Sequence, residues 1–186
     1  MDTRDLGLGV REIIPRRLGD ARGFFAETWQ QQRFSEAGLD MDWVQENQSF
    51  SAERSVLRGL HLQVSPAPQA KLVRVLRGRV YDVAVDVRPH SPTFGKWVSC
   101  ILSAETFNQI YVPIGFAHGF LTLEPGVEVL YKVSAPYEPN CGRGIIWNDK
   151  DLGIDWPLQS GEKPILSDRD VTAPSLAAFL RQAKTE

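Results

Sequence analysis

Three histidines, His61, His90 and His118, are the natural starting point for proton transfer, because imidazole titrates near neutral pH. His61 stands in Arg58-Gly59-Leu60-His61-Leu62-Gln63, and strand alternation puts His61 and Gln63 on one face. A histidine pair at that spacing would suit a metal. Gln63 is a poor ligand for a transition metal, and no nearby Glu or third His completes the set. His61 is then either a metal-free proton acceptor or a core histidine satisfied by a backbone bond. Arg58 has the opposite parity. A glycine bulge at Gly59 would turn Arg58 and His61 into one cavity; without it, Arg58 is a solvated arginine on the outer face.

Other residues extend the acid–base set. Lys71 shares its strand face with Val73 and Val75, so it either snorkels from a strand end or sits in a pocket where an ammonium could stabilise an enolate or a phosphate. Tyr131 points where Val127, Val129 and Val133 point, as a hydrogen-bonded core tyrosine or as a general acid at the floor of a pocket. In Pro113-Ile114-Gly115-Phe116-Ala117-His118-Gly119-Phe120 a turn delivers His118 into a strand between aromatics, facing a ligand or capping a packed turn. Arg22 and Arg58 could clamp a diphosphate through planar bidentate contacts, and Gln45 and Asn47 offer neutral donors and acceptors suited to sugar hydroxyls.

The elements that must position these groups are mostly strands. Val73, Val75, Val80, Val83, Val85 and Val87 crowd together around a turn at Arg77-Gly78, and strands are expected over 97–102, 109–112, 119–123 and 127–134. Helices are expected only over 29–37, ended by Gly38, and over 175–183, with Leu176, Phe179, Leu180 and Ala183 on one face. The intervals are too short for helical crossovers, so an antiparallel sandwich or barrel is predicted. A length of 186 residues fits one domain, and 21 basic against 23 acidic residues disfavour a globally basic nucleic-acid binder. Cys100 and Cys141 form no C-x-x-C pair. With neither a secretion signal nor a span of about 18 apolar residues, the expectation is a cytoplasmic protein with no membrane partner. Dinucleotide, P-loop and hydrolase-elbow motifs are all missing, which leaves cofactor-free proton transfer if the chain is an enzyme.

Taken together, Arg22-Gly23-Phe24-Phe25, Gln45-Glu46-Asn47, the Arg58–Gln63 motif, Lys71-Leu72-Val73-Arg74, Asp82-Val83-Ala84-Val85-Asp86, the Pro113–Phe120 motif, Tyr131-Lys132 and Gly144-Ile145-Ile146-Trp147-Asn148-Asp149 resemble the dTDP-4-dehydrorhamnose 3,5-epimerase family. The resemblance implies a cupin-type jelly roll with a few short helices, used without metal or other cofactor. It implies one domain over 1–186, a homodimer that exchanges its N-terminal strands (1–50), and a C-terminal helical segment at about 172–183. The implied substrate is a dTDP-sugar with a ketone at C4, which acidifies the C–H bonds at C3 and C5. A relative that inverts one centre, or a non-catalytic nucleotide-sugar-binding cupin, would use the same scaffold. Carried over by position, His61 resembles the base, Tyr131 the acid, Lys71 the group that stabilises the enolate and Asp170 the carboxylate that orients the base. Arg22, Glu27, Gln45, Asn47, Arg58, Lys71, His118 and Arg169 match nucleotide-sugar contacts, and Tyr137 an aromatic that stacks on thymine. Gly142 and Arg169 depart from the acidic residue and the lysine that the family carries there; both concern substrate contacts rather than proton transfer.

Overall fold

The computed structural model describes residues 1–183. Its strands are β1 (Asp2–Gly7), β2 (Val10–Ile14), β3 (Arg17–Asp20), β4 (Gly23–Ala26), β5 (Gln45–Ser51), β6 (Leu57–Gln63), β7 (Lys71–Arg77), β8 (Arg79–Asp86), β9 (Trp97–Ser103), β10 (Gln109–Val112), β11 (Phe116–Thr122), β12 (Val127–Val133) and β13 (Gly142–Gly144). Three short α-helices accompany them: α1 (Gln31–Glu36), α2 (Asp168–Val171) and α3 (Leu176–Ala183). A six-stranded sheet runs β1-β2-β10-β7-β12-β5 and a five-stranded sheet runs β13-β6-β11-β8-β9. All named pairings are antiparallel, and β3 and β4 form a separate hairpin.

Period-two alternation sorts each strand's side chains between two environments. Val73 and Val75 of β7, Val80 and Ala84 of β8, Phe116 and Phe120 of β11, and Val127 and Val129 of β12 fill the space between the sheets. Burying each such large side chain fully contributes about 1.5–3 kcal/mol, which makes this layer a main source of stability. The intervening residues face outward and are also covered. Leu57, Leu60, Leu62, Val83, Val85 and Leu121 of the five-stranded sheet pack under Ile145, Leu152, Trp156 and α3. Ile13, Leu72 and Tyr111 of the six-stranded sheet pack under Phe34 of α1 and Leu39. Burial on both faces explains why these strands read as near-continuous apolar runs.

The expected turn at Arg77-Gly78 joins β7 to β8, with Gly78 at φ +78°. Helix α1 starts two residues later than the expected 29–37, because the Gln30 side chain caps it by accepting from the Arg33 N–H. Gly38 follows its end with φ +74°. The strand expected over 119–123 begins earlier, at Phe116, which places His118 within β11. The expected C-terminal helix forms as α3, from Leu176, and is preceded by the short α2, which ends at Val171, with Pro174 between them. Leu176 and Phe179 of α3 are buried and Leu180 half-buried, while the Ala183 side chain lies outside the described residues. Among the described residues no helix is long and apolar enough to cross a membrane.

Candidate active site

The site begins with a break in the alternation of β6. Phe120 of β11 pairs with Arg58, but His118, two residues earlier, pairs with His61, three residues later on β6. The extra residue is a bulge at Gly59-Leu60, and it switches parity: Leu57 before it and Leu60 and Leu62 after it all face the outer core. Arg58 and His61 consequently both line the cavity between the sheets, as the bulge at Gly59 predicted. Only glycine fits there. Gly59 has φ +133°, and a Cβ would lie 2.5 Å from the Gly119 Cα.

The cavity has a volume of about 440 Å³ and continues into a lobe of about 320 Å³; His61, Lys71 and Tyr131 border both. On the five-stranded wall, His61 Nε2 lies 2.5 Å from Asp170 Oδ1. Asp170 is brought there by α2: Ser167 caps the helix, accepting from the Asp170 N–H and donating its hydroxyl to Asp170 Oδ2 at 2.8 Å. Burial opposes ionisation of Asp170, but the bond from His61, the Ser167 hydroxyl and the nearby Arg169 outweigh it and hold its pKa below the usual value. With Asp170 ionised, the nitrogen that faces it, Nε2, carries a proton and donates it to the carboxylate. On the opposite wall Lys71 opens β7 but does not snorkel to water, being only 9% exposed. Its Nζ donates to the His61 carbonyl at 3.1 Å, across from one sheet to the other. Burial lowers the Lys71 pKa to about 8, with Asp82 opposing and Arg169 reinforcing the shift. Tyr131, half-buried on the same wall, has its pKa raised by burial against a smaller opposing effect of Arg58.

His118 also lines the cavity, and its Nε2 lies 2.9 Å from both carboxylate oxygens of Asp82. Arg58 reaches Ser51 Oγ and the Phe50 carbonyl. The second lobe gathers Gln45, Asn47, Gln63, Tyr137, Gly142 and Arg169. Gln45 donates to Asn47 at 2.7 Å and accepts from the Tyr137 N–H. Gln63 spends its amide on the Ala67 and Pro136 carbonyls and the Glu138 N–H, anchoring the loop that carries Tyr137. Arg169 lies over Gly142, where a Cβ would meet its guanidinium at 3.2 Å. Among the described residues, no group of three or more His, Cys, Asp and Glu side chains could hold a metal ion.

Two expected contacts are not brought to this cavity within one chain. Arg22 is exposed at the tip of the β3–β4 hairpin and paired with Asp20 at 2.6 Å. Glu27 is exposed and paired with Arg33 at 3.2 Å. The two-arginine diphosphate clamp is therefore incomplete in a single copy: Arg58 is present and Arg22 is elsewhere. His90 is exposed in the loop after β8.

Sequence reasoning missed Asp82 and Ser167. Asp82 carried a signal, since it sits between Val80 and Ala84 on the inward parity of β8, where a carboxylate needs a cationic or hydrogen-bonding partner. Ser167-Asp168-Arg169-Asp170 carried a helix-capping pattern.

A two-sheet antiparallel sandwich with a cavity opening between its layers is a cupin-like fold. Residues 8–178 match the family model described as dTDP-4-dehydrorhamnose 3,5-epimerase, and the chain belongs to this family of isomerases. It is 53% identical over 167 residues to the dTDP-4-dehydrorhamnose 3,5-epimerase of Pseudomonas aeruginosa, covering 88% of this chain and 90% of the relative. Among solved structures it is similar to the dTDP-6-deoxy-D-glucose-3,5-epimerase of Legionella pneumophila in complex with dTDP-4-keto-L-rhamnose, with 47% identity, coverage of 90% and 88%, and a TM-score of 0.85. The 3'-monoepimerase of Streptomyces bikiniensis in complex with dTDP-quinovose is also similar, with 37% identity, coverage of 94% and 87%, and a TM-score of 0.85.

Proposed function

We propose that the protein epimerises C3 and C5 of dTDP-4-dehydro-6-deoxy-D-glucose, giving dTDP-4-dehydro-L-rhamnose, by proton removal and return next to the C4 ketone. The observation that carries this reading is the placement of His61 and Tyr131 on opposite sheets around one cavity. Inversion needs a base on one face of a carbon and an acid on the other. His61 Nδ1, with Asp170 holding Nε2–H, takes the proton. The charge passes to the ketone oxygen as an enolate, which the Lys71 ammonium stabilises. Tyr131 delivers a proton to the opposite face, and its raised pKa keeps it protonated until that step. The ketone itself acidifies both carbons, so the reaction calls for no redox cofactor or metal.

Substrate binding divides along the cavity. Arg58 and His118 serve the diphosphate side of the sugar cavity, while Gln45, Asn47, Arg169 and a stacking Tyr137 serve the nucleotide in the second lobe. Arg22 and Glu27 reach a site only if the N-terminal strands of one copy extend to another. The hairpin that carries Arg22 supports such a homodimer: Leu18, Phe24 and Phe25 are 54%, 57% and 71% exposed. The chain works as one domain, in the cytoplasm, on a soluble nucleotide sugar.

The likeness to a 3'-monoepimerase favours one second reading, inversion at a single centre. Incubation with the 4-keto sugar in deuterated water separates the two. Deuterium at both C3 and C5 is expected; label at one carbon only would replace the double epimerase with the single.

A further inference from the structure

Strand β5 turns Asn47, Ser49 and Ser51 toward the cavity layer, and two of the three have protein partners. Asn47 accepts from Gln45 at 2.7 Å and Ser51 Oγ accepts from Arg58 at 3.3 Å. The Ser49 hydroxyl is buried and has no hydrogen-bond partner among the described residues. A buried hydroxyl left without a bond is costly, so native proteins nearly always supply one. Ser49 faces Val129 in the β5–β12 register, one inward position from the Asn47–Tyr131 pair, and lines the cavity with His61, Lys71 and Tyr131. Because Ser49 borders the cavity, a turn of its hydroxyl would let a molecule held there supply the bond.

We propose that Ser49 is a substrate-positioning residue whose hydroxyl bonds a ring hydroxyl of the hexose. This rests on the epimerase reading above. The hexose is favoured over the nucleotide because Ser49 borders the lobe of the acid–base residues and is absent from the lobe of Gln45, Asn47 and Tyr137. It is favoured over the diphosphate by position: Ser51, the next inward residue of β5, already holds Arg58, and Ser49 stands between that pair and Asn47 opposite Tyr131. A hydroxyl is also suited to a neutral sugar by chemistry, since it can donate and accept at once.

Ser49→Ala tests this with three readouts on the full chain. KM for the 4-keto sugar should rise about tenfold with kcat little changed, the size expected for one neutral hydrogen bond. Affinity for dTDP, measured by calorimetry, should stay within twofold of wild type. The melting temperature should hold or rise, because the hydroxyl satisfies nothing in the protein. An unchanged KM, an equal loss of dTDP affinity, or a melting temperature lower by more than about 4 °C would each overturn the assignment. A wild-type protein that exchanges no deuterium into the 4-keto sugar would overturn the epimerase reading and this one with it.

Discussion

Two histidine–aspartate pairs face the same cavity from adjacent strands, and their histidines are direct cross-strand partners. Both engage the carboxylate through Nε2, so in both Nδ1 is the ring nitrogen that the carboxylate leaves free. Their surroundings differ. The His61 side chain is 33% exposed and bonds one oxygen of Asp170, whereas the His118 side chain is 8% exposed and lies against both oxygens of a fully buried Asp82. Asp170 reaches its histidine from a short capped helix, and Asp82 from the neighbouring strand of the same sheet. A partly open, singly bonded imidazole can give and take protons with a ligand or solvent. A closed one lying against both carboxylate oxygens is fixed in orientation. In the proposed reaction the same residue pair is a proton carrier in one place and a fixed wall of the site in the other.

The strongest way to break this contrast is to remove the carrier. His61→Asn should lower kcat by about 10³-fold, within the range of a lost general base, while dTDP binding stays intact. His118→Asn should lower kcat far less and raise KM. Comparable kcat losses in the two variants would erase the distinction.

The carboxylates sharpen it next. Asp170→Asn should cost about 10²-fold in kcat with a small change in stability, because the partly open His61 can turn to water. Asp82→Asn should cost about 3 kcal/mol of stability, since it strands a buried histidine and removes the counter-charge near Lys71. Urea denaturation of the two variants beside their kcat values checks the opposite weighting. Gly59→Ala should damage both pairs together, because its Cβ would drive apart the strands that carry the two histidines.

Lys71, whose Nζ bonds the His61 carbonyl and whose charge Asp82 favours, gives the effect most finely graded by pH. Its ammonium is lost as pH rises through about 8, so kcat/KM should fall toward tenfold per pH unit above that value. Stability should move the other way. The unfolded lysine titrates near 10.5, so the cost of burying its charge is present below pH 8 and is relieved between about 8 and 10.5. Lys71→Met should accordingly abolish turnover while raising the melting temperature at pH 7. A variant less stable than wild type at that pH would mean that the ammonium stabilises the fold.

The legible part of this protein was local. The crowded valines, the turn at Arg77-Gly78 and the sparse helices pointed to an antiparallel sandwich, because burial and turn chemistry act over a few residues. The parity of Lys71 and Tyr131 with neighbouring valines placed both on interior faces, and Gly59 between Arg58 and His61 flagged the bulge. The same logic was available for Asp82 but is easily overlooked in a run of apolar residues.

The sequence by itself therefore determined which side chains face inward and which chemistry they own. Its resemblance to a known family added Asp170, which no periodicity connects to His61. Only the tertiary structure decided the partnerships. It brought Asp170 to His61 across 109 residues and Asp82 to His118 across 36, and it set Tyr131 and His61 on opposing sheets. It also left Arg22 and Glu27 outside the single-chain cavity. The reason is physical. Alternation and turn preference follow from neighbouring residues, whereas the exposure and partner of each histidine depend on segments that meet only when the sheets pack and the C-terminal chain closes over them.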